Sequence, residues 1–215
     1  MMPPIVKNLL IINCVVFLAE ILLPRGAGSW MMDNLTLHFW KGGQFRAYQL
    51  VTYMFLHANF THLLFNMFAL WMFGRVLEAD LGSRRFFVYY MVCGIGAGLI
   101  QLGVNWIDYA SAAGSDYVNP AALYRAANAA TLGASGAIFG VLLAFGLLHP
   151  NNVIMLLFPP IPLKAKWFVL IYGLLELGLG IAGSGGGVAH FAHVGGMLWG
   201  WGLLWYWRRK RIIYY

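Results

Sequence analysis

Residues 133–149 read GASGAIFGVLLAFGLLH, and the reading of this stretch decides the fold. Between its ends the one polar side chain is Ser135, and no charge interrupts the run. A spanning helix needs ~20 apolar residues, so the stretch reads as a membrane span entered through a small, serine-bearing turn. Five further apolar segments accompany it, at about 5–23, 60–77, 86–106, 166–183 and 189–207.

Composition supports this. Of the 215 residues, 61% are hydrophobic, 26 are glycine and 10% are charged. Soluble domains have about 25% charged residues, and so little charge cannot cover a water-exposed surface. Disorder is excluded by the same figures, since disordered chains are polar and poor in aromatics. The expectation is an all-α membrane protein, one domain over 1–215 with six transmembrane helices. Six spans of ~20 residues leave only loops. The run Ile5–Leu23 is long for a signal-peptide core and no A-x-A site follows it, so it reads as a retained first span. Cys14 and Cys93 fall in apolar runs and read as small buried hydrophobes. No internal repeat or heptad pattern is found.

Four connections carry information. Residues 24–59 mix Trp30, Met31, Met32, Phe39, Trp40, Phe45 and Tyr48 with polar groups, the composition of a headgroup-region segment. Residues 107–132 are rich in alanine and read as a surface loop. Pro159, Pro160 and Pro162 make Val153–Leu163 a loop or interfacial segment, and 183–187 is a short flexible link. With the N-terminus cytoplasmic, Lys7, Arg75, Arg84, Arg85, Lys164, Lys166, Arg208, Arg209, Lys210 and Arg211 lie inside, and Arg25, Lys41, Arg46 and Arg125 outside. This follows the positive-inside rule. It also accounts for most of the net charge of +7 without nucleic acid.

That orientation makes spans two, four and six begin on the outer side. Ser135, His62 and His193 then lie at similar depth. Gly136 and Gly140 in span four, and Gly196 and Gly200 in span six, form small-residue stripes through which helix backbones approach closely. If the stripes meet, so do Ser135 and His193. Serine becomes nucleophilic when a base takes its proton, and histidine titrates near working pH. The first-turn N–H groups around Ser135 have no helical partners and suit an oxyanion. His62 and Asn66 share a face of span two and can donate hydrogen bonds.

These residues resemble the rhomboid family of intramembrane serine proteases. The likeness is carried by His57 to Asn66, by Gly133-Ala134-Ser135-Gly136, and by Ala189 to Gly196 with Gly200. Phe45-Arg46 (the family usually has Trp-Arg), Gly74-Arg75 and Glu78 to Ser83 extend it. The resemblance implies a serine endopeptidase acting on transmembrane segments of other membrane proteins, with preference for small residues at the cut and helix-breaking residues nearby. Ser135 is similar to the family's nucleophile and His193 to its general base. His62, Asn66 and the Ser135 backbone N–H resemble its oxyanion donors, with Gly133 in the same loop. No carboxylate matches a third member, so a Ser-His dyad is implied.

Several alternatives are weighed against this. His190 lacks the H-x-x-G-x-x-x-G spacing, and His57 reads as a structural hydrogen bond. Glu20 and Glu176 are intramembrane carboxylates and could mark an ion path, which raises a small transporter; the simpler reading is a protonated helix contact or a position near a watery cavity. Four histidines could bind zinc, but H-E-x-x-H and a nearby carboxylate or thiolate are not legible, so no metal or cofactor is expected. The alternative within the family is a non-proteolytic factor that binds or escorts membrane proteins. Such relatives lack the serine or the histidine, and this chain has both. A six-span core without a targeting presequence points to a bacterial plasma membrane. The short fifth span and the 183–187 link suggest that spans five and two part to admit substrate.

Overall fold

A helix lies over each of the six stretches read as spans. In chain order the helices of eight or more residues are α1 (Pro4–Leu22), α2 (Arg25–Leu35), α3 (Phe60–Leu81), α4 (Ser83–Ala113), α5 (Pro120–Ala127), α6 (Ser135–Leu148), α7 (Ala165–Ile181) and α8 (His190–Arg209). This computed structural model describes residues 2–115, 117–155, 160–183 and 189–213. By length and composition α1, α3 and α4 can each cross a membrane, and α6 is a shorter apolar helix. The protein is an integral membrane protein with an all-helical bundle fold.

Helix α6 is the centre of the bundle. It is apolar on every side, and Gly136 through Leu142 are all buried, as expected of a helix enclosed by others. It packs against α4, α7 and α8. Fourteen residues make it roughly 21 Å long at 1.5 Å per residue, against a hydrocarbon core of about 30 Å.

The two glycine stripes do meet. A Cβ on Gly196 would collide with the carbonyl oxygen of Gly136, and a Cβ on Gly140 would come within 3.0 Å of the Gly196 carbonyl oxygen. Close approach of α6 and α8 therefore needs glycine on both helices. Tyr89 of α4 ties the same region by donating its hydroxyl to the Gly140 carbonyl at 2.8 Å.

The connections hold more structure than their composition suggests. Helix α4 runs to Ala113, and α5 forms within the alanine-rich stretch, so much of 107–132 is helical rather than loop. Alanine favours helix, and Asn119 caps α5 by accepting from the Ala121 and Ala122 N–H groups at 3.0 and 3.2 Å, with Pro120 at the first position. The short strand β1 (Leu37–His38) pairs antiparallel with β2 (Ala130–Thr131), fastening the first long loop to the segment that leads into Ser135. Gln49 is fully buried and holds that loop: its Oε1 accepts from Arg46 and His38 N–H, and its Nε2 donates to the Asn34 and Gln44 carbonyls.

In the proline-containing segment, β3 (Val153–Met155) pairs with β4 (Pro162–Lys164), consistent with a loop rather than a span. Pro159, and the 183–187 link beyond Gly183, lie outside the described residues. Cys93 is buried as expected, but Cys14 is exposed on the outer face of α1. Helix α1 is apolar nearly all round, so the sequence does not mark which face meets the bundle.

Candidate active site

Each candidate residue is placed by the start of a helix. Asn59 caps α3, its side chain accepting from the His62 N–H at 2.8 Å, and so fixes His62 in the first turn. Asn66 follows one turn later on the same face. Ser135 opens α6, where the N–H groups of the first turn lack carbonyl partners within the helix. His190 opens α8, and His193 lies one turn in.

The structure brings Ser135 and His193 together. His193 Nε2 stands 2.8 Å from Ser135 Oγ, a hydrogen bond between residues 58 apart in the chain. Phe139, one turn after Ser135, stacks on the imidazole with ring centroids 4.2 Å apart and planes within 6°. Apolar stacking on one face fixes the ring plane, so that Nε2 points at the serine.

Gly133 has φ +125°, a backbone conformation that L side chains rarely adopt. A Cβ there would come within 2.7 Å of His62 Cε1 and 3.7 Å of Ser135 Oγ. The His62 ring and the serine thus face one gap that only glycine leaves open. Gly133 N–H donates to the Tyr53 carbonyl at 2.8 Å. That N–H is engaged, so Gly133 shapes the loop and is not itself a free oxyanion donor. His62 Nδ1 accepts from the Ala58 N–H at 3.4 Å, which leaves the proton of the neutral ring on Nε2. Asn66 is buried, and among the described residues its Nδ2 has no partner. These are two donors without a fixed acceptor, and such groups are costly to bury unless something uses them.

Ser135, His193, His62 and Asn66 all line one cavity of about 640 Å³, with Phe65 of α3 and Tyr172 of α7 at its sides. His57 does not line it. Its ring is buried and stands edge-on to His62 at 5.1 Å, in keeping with a supporting role. Burial pushes the His57 imidazole down to about 4, so it is neutral at ordinary pH.

The sequence marks Glu176 as an intramembrane carboxylate but not its partners. Glu176 of α7 is buried, and its Oε2 accepts from His193 Nδ1 at 2.8 Å and from His190 Nδ1 at 2.6 Å. The expectation that no carboxylate stands near these histidines is therefore wrong. The physical reason is that Glu176 and His193 lie on different helices, where no spacing rule joins them. Depth could have found it. Glu176 sits near the C-terminal end of α7 and His193 near the N-terminal start of α8, and these ends adjoin. Glu176, His190 and His193 also bring three possible metal-ligand atoms within 4.8 Å of one another. Glu20 does not join this cluster; it lies on α1 and does not line the cavity.

Comparison with known proteins places this geometry. The family model for the rhomboid domain matches residues 44–210. The chain belongs to the rhomboid family. The matched rhomboid domain includes every residue of the site described above. Rhomboid protein 1, mitochondrial, of Saccharomyces cerevisiae is 37% identical over 151 residues, covering 68% of this chain and 39% of the relative. Rhomboid protease AarA of Providencia stuartii is 33% identical over 150 residues, 68% of this chain and 51% of the relative. Rhomboid-like protein 11, chloroplastic, of Arabidopsis thaliana is 36% identical over 94 residues, 44% of this chain and 26% of the relative. The matched stretch is thus about half or less of each of these rhomboid relatives.

Proposed function

We propose that this rhomboid is an intramembrane serine endopeptidase that cuts transmembrane segments of other membrane proteins. The observation that carries the reading is the 2.8 Å contact from His193 Nε2 to Ser135 Oγ at the wall of the cavity. A serine hydroxyl hydrogen-bonded to an imidazole, beside donors without partners, is the arrangement acyl transfer requires.

Ser135 Oγ attacks the scissile carbonyl while His193 Nε2 takes the hydroxyl proton. The carbonyl electron pair moves to its oxygen, which the Ser135 N–H, the Asn66 amide and His62 Nε2–H stabilise. The C–N bond then breaks, and His193 gives the proton to the departing amine. Water repeats the sequence and frees the serine. The substrate must be extended at the cut, because helical carbonyls are already hydrogen-bonded. Small residues at the cut and helix-breakers nearby suit that need. Phe65 and Tyr172 flank the cavity, which supports entry between α3 and α7. A disulfide joining those helices should block cleavage of membrane-spanning substrates, and intact cleavage in the cross-linked protein would remove that route.

Residues 1–215 act as one domain of six spans in this reading, with both termini cytoplasmic and the cavity open to the outer side. The proposed setting is a bacterial plasma membrane. The mitochondrial and chloroplastic relatives make organelle membranes the competing settings, and cell fractionation decides between them. The functional test is cleavage of a transmembrane substrate in liposomes. Wild type should cleave, and Ser135→Ala and His193→Ala should fall to background with unchanged thermal unfolding. Equal cleavage by Ser135→Ala would defeat the reading and favour a binding or escort role.

A further inference from the structure

We propose that Glu176 is a positioning residue for His193, so that Ser135, His193 and Glu176 work as a chain of three rather than as a dyad. The proposal rests on the protease reading above. Both imidazole nitrogens of His193 are engaged, Nε2 with Ser135 Oγ at 2.8 Å and Nδ1 with Glu176 Oε2 at 2.8 Å. An ionised carboxylate accepts and cannot donate, so it assigns the proton to Nδ1 and leaves Nε2 bare to receive the serine proton. That is the tautomer general-base catalysis needs, and a neutral histidine with its proton on Nε2 could not serve. The second shared contact, from His190 Nδ1 to the same oxygen at 2.6 Å, stops the carboxylate from turning away. Phe139 fixes the ring plane and Glu176 fixes its rotation within that plane.

The proton accounting is closed. When Oγ bonds to the carbonyl carbon, its proton goes to Nε2 and His193 becomes an imidazolium. The Nδ1 proton stays on His193 throughout. Glu176 stays ionised, takes no proton, and stabilises the positive ring through the hydrogen bond. The Nε2 proton leaves with the amine, and the starting tautomer returns.

The surroundings of Glu176 fit this role. It lies on α7, whereas Ser135 is on α6 and His193 on α8, so the chain of contacts ties three helices at one depth. Among the described residues, the groups around His193 are Glu176 from α7, Ser135 and Phe139 from α6, His190 from its own helix, and His62 of α3 across the cavity. Among the described residues His190 Nε2 is buried without a partner, so the hydrogen bond that holds this ring there is the one to Glu176.

Two readouts test the proposal, one of which does not need proteolysis. In micelles, ¹⁵N spectra of histidine-labelled protein at neutral pH should show wild-type His193 with its proton on Nδ1. In Glu176→Gln the signal should move toward a mixture of tautomers, because the neutral amide can accept from Nδ1 or donate to it. In the cleavage assay, Glu176→Gln and Glu176→Ala should lower kcat by about 10²–10³-fold, within the range for a positioned acid–base system, with KM changed less than about threefold. An unchanged His193 tautomer in Glu176→Gln overturns the proposal. So does a variant that loses thermal stability but keeps wild-type kcat, which would make Glu176 a tie between helices. If wild type cleaves nothing, the protease reading fails, and the tautomer comparison still decides what Glu176 does to His193.

Discussion

Glu78 and Glu176 are both buried carboxylates, at 2% and 6% exposure, and they sit at opposite ends of the bundle. Glu78, at the far end of α3, accepts from the N–H groups of Ile5 and Val6 at 2.9 and 2.7 Å and from the Ser83 hydroxyl at 2.7 Å. It caps the first turn of α1, whose orphan donors and positive helix end favour a negative charge. Its partners are fixed backbone and one hydroxyl. Glu176 accepts from two imidazoles, one of which reaches a serine at the cavity wall. The side chains are identical, and the partners decide what each does. At one end a carboxylate ends a helix and closes its hydrogen bonds, and at the other it holds a ring that can move a proton.

That contrast can be broken first by exchanging the two carboxylates for neutral isosteres. Glu176→Gln should lose ~10²–10³-fold in kcat with its unfolding midpoint nearly unchanged. Glu78→Gln should do the reverse, losing about 1.5–3 kcal/mol of stability as charge-assisted bonds weaken, with near-normal kcat in the fraction that stays folded. Chemical denaturation and cleavage kinetics on both variants check this. A Glu78→Gln protein that is stable but inactive would erase the distinction.

The next effect is at Asn66. Among the described residues its buried Nδ2 has no partner, so in the proposed mechanism truncation removes an oxyanion donor. Asn66→Ala should reduce kcat by up to about 10²-fold, somewhat below a full oxyanion donor because the Ser135 N–H and His62 remain. Little change in stability should accompany it. A stability loss with normal kcat would class Asn66 with Glu78.

Much of this site is legible in the sequence, for a physical reason. Ser135, His62 and His193 each stand in the first turns of an apolar helix entered from one side, so topology alone puts them at one level. The stripes Gly136/Gly140 and Gly196/Gly200 add the close approach that lets two of them touch. Glu176 stands out in the sequence as a carboxylate in an apolar helix, but its pairing with His190 and His193 joins two helices and has no spacing to mark it. The pairing of Leu37–His38 with Ala130–Thr131 was not legible either. Two-residue strands have no periodicity to read, and their partners are set by tertiary packing. The helix over Pro120–Ala127 was hidden by the polar residues around it, although Asn119-Pro120 is a helix-start signal.

The smallest expected effect concerns His57, which supports His62 without lining the cavity. Its imidazole is pushed down to about 4 in the folded protein and titrates near ~6.5 when unfolded. The unfolded state therefore binds the proton first as pH falls. The stability from a neutral His57 is complete above about 6.5 and declines as pH drops toward 4. His57→Asn should flatten that part of the stability profile, measured by thermal unfolding in detergent across the window. An unchanged slope would show that other groups carry it.

The most direct test of a base-activated serine is covalent labelling by a serine-directed phosphonate, read by peptide mass spectrometry. Wild type should carry one adduct, on Ser135, and none should form in Ser135→Ala. His193→Ala should label at least ~10²-fold more slowly, because the base that takes the proton is gone. An adduct on another residue, or equal labelling rates with and without His193, would contradict it.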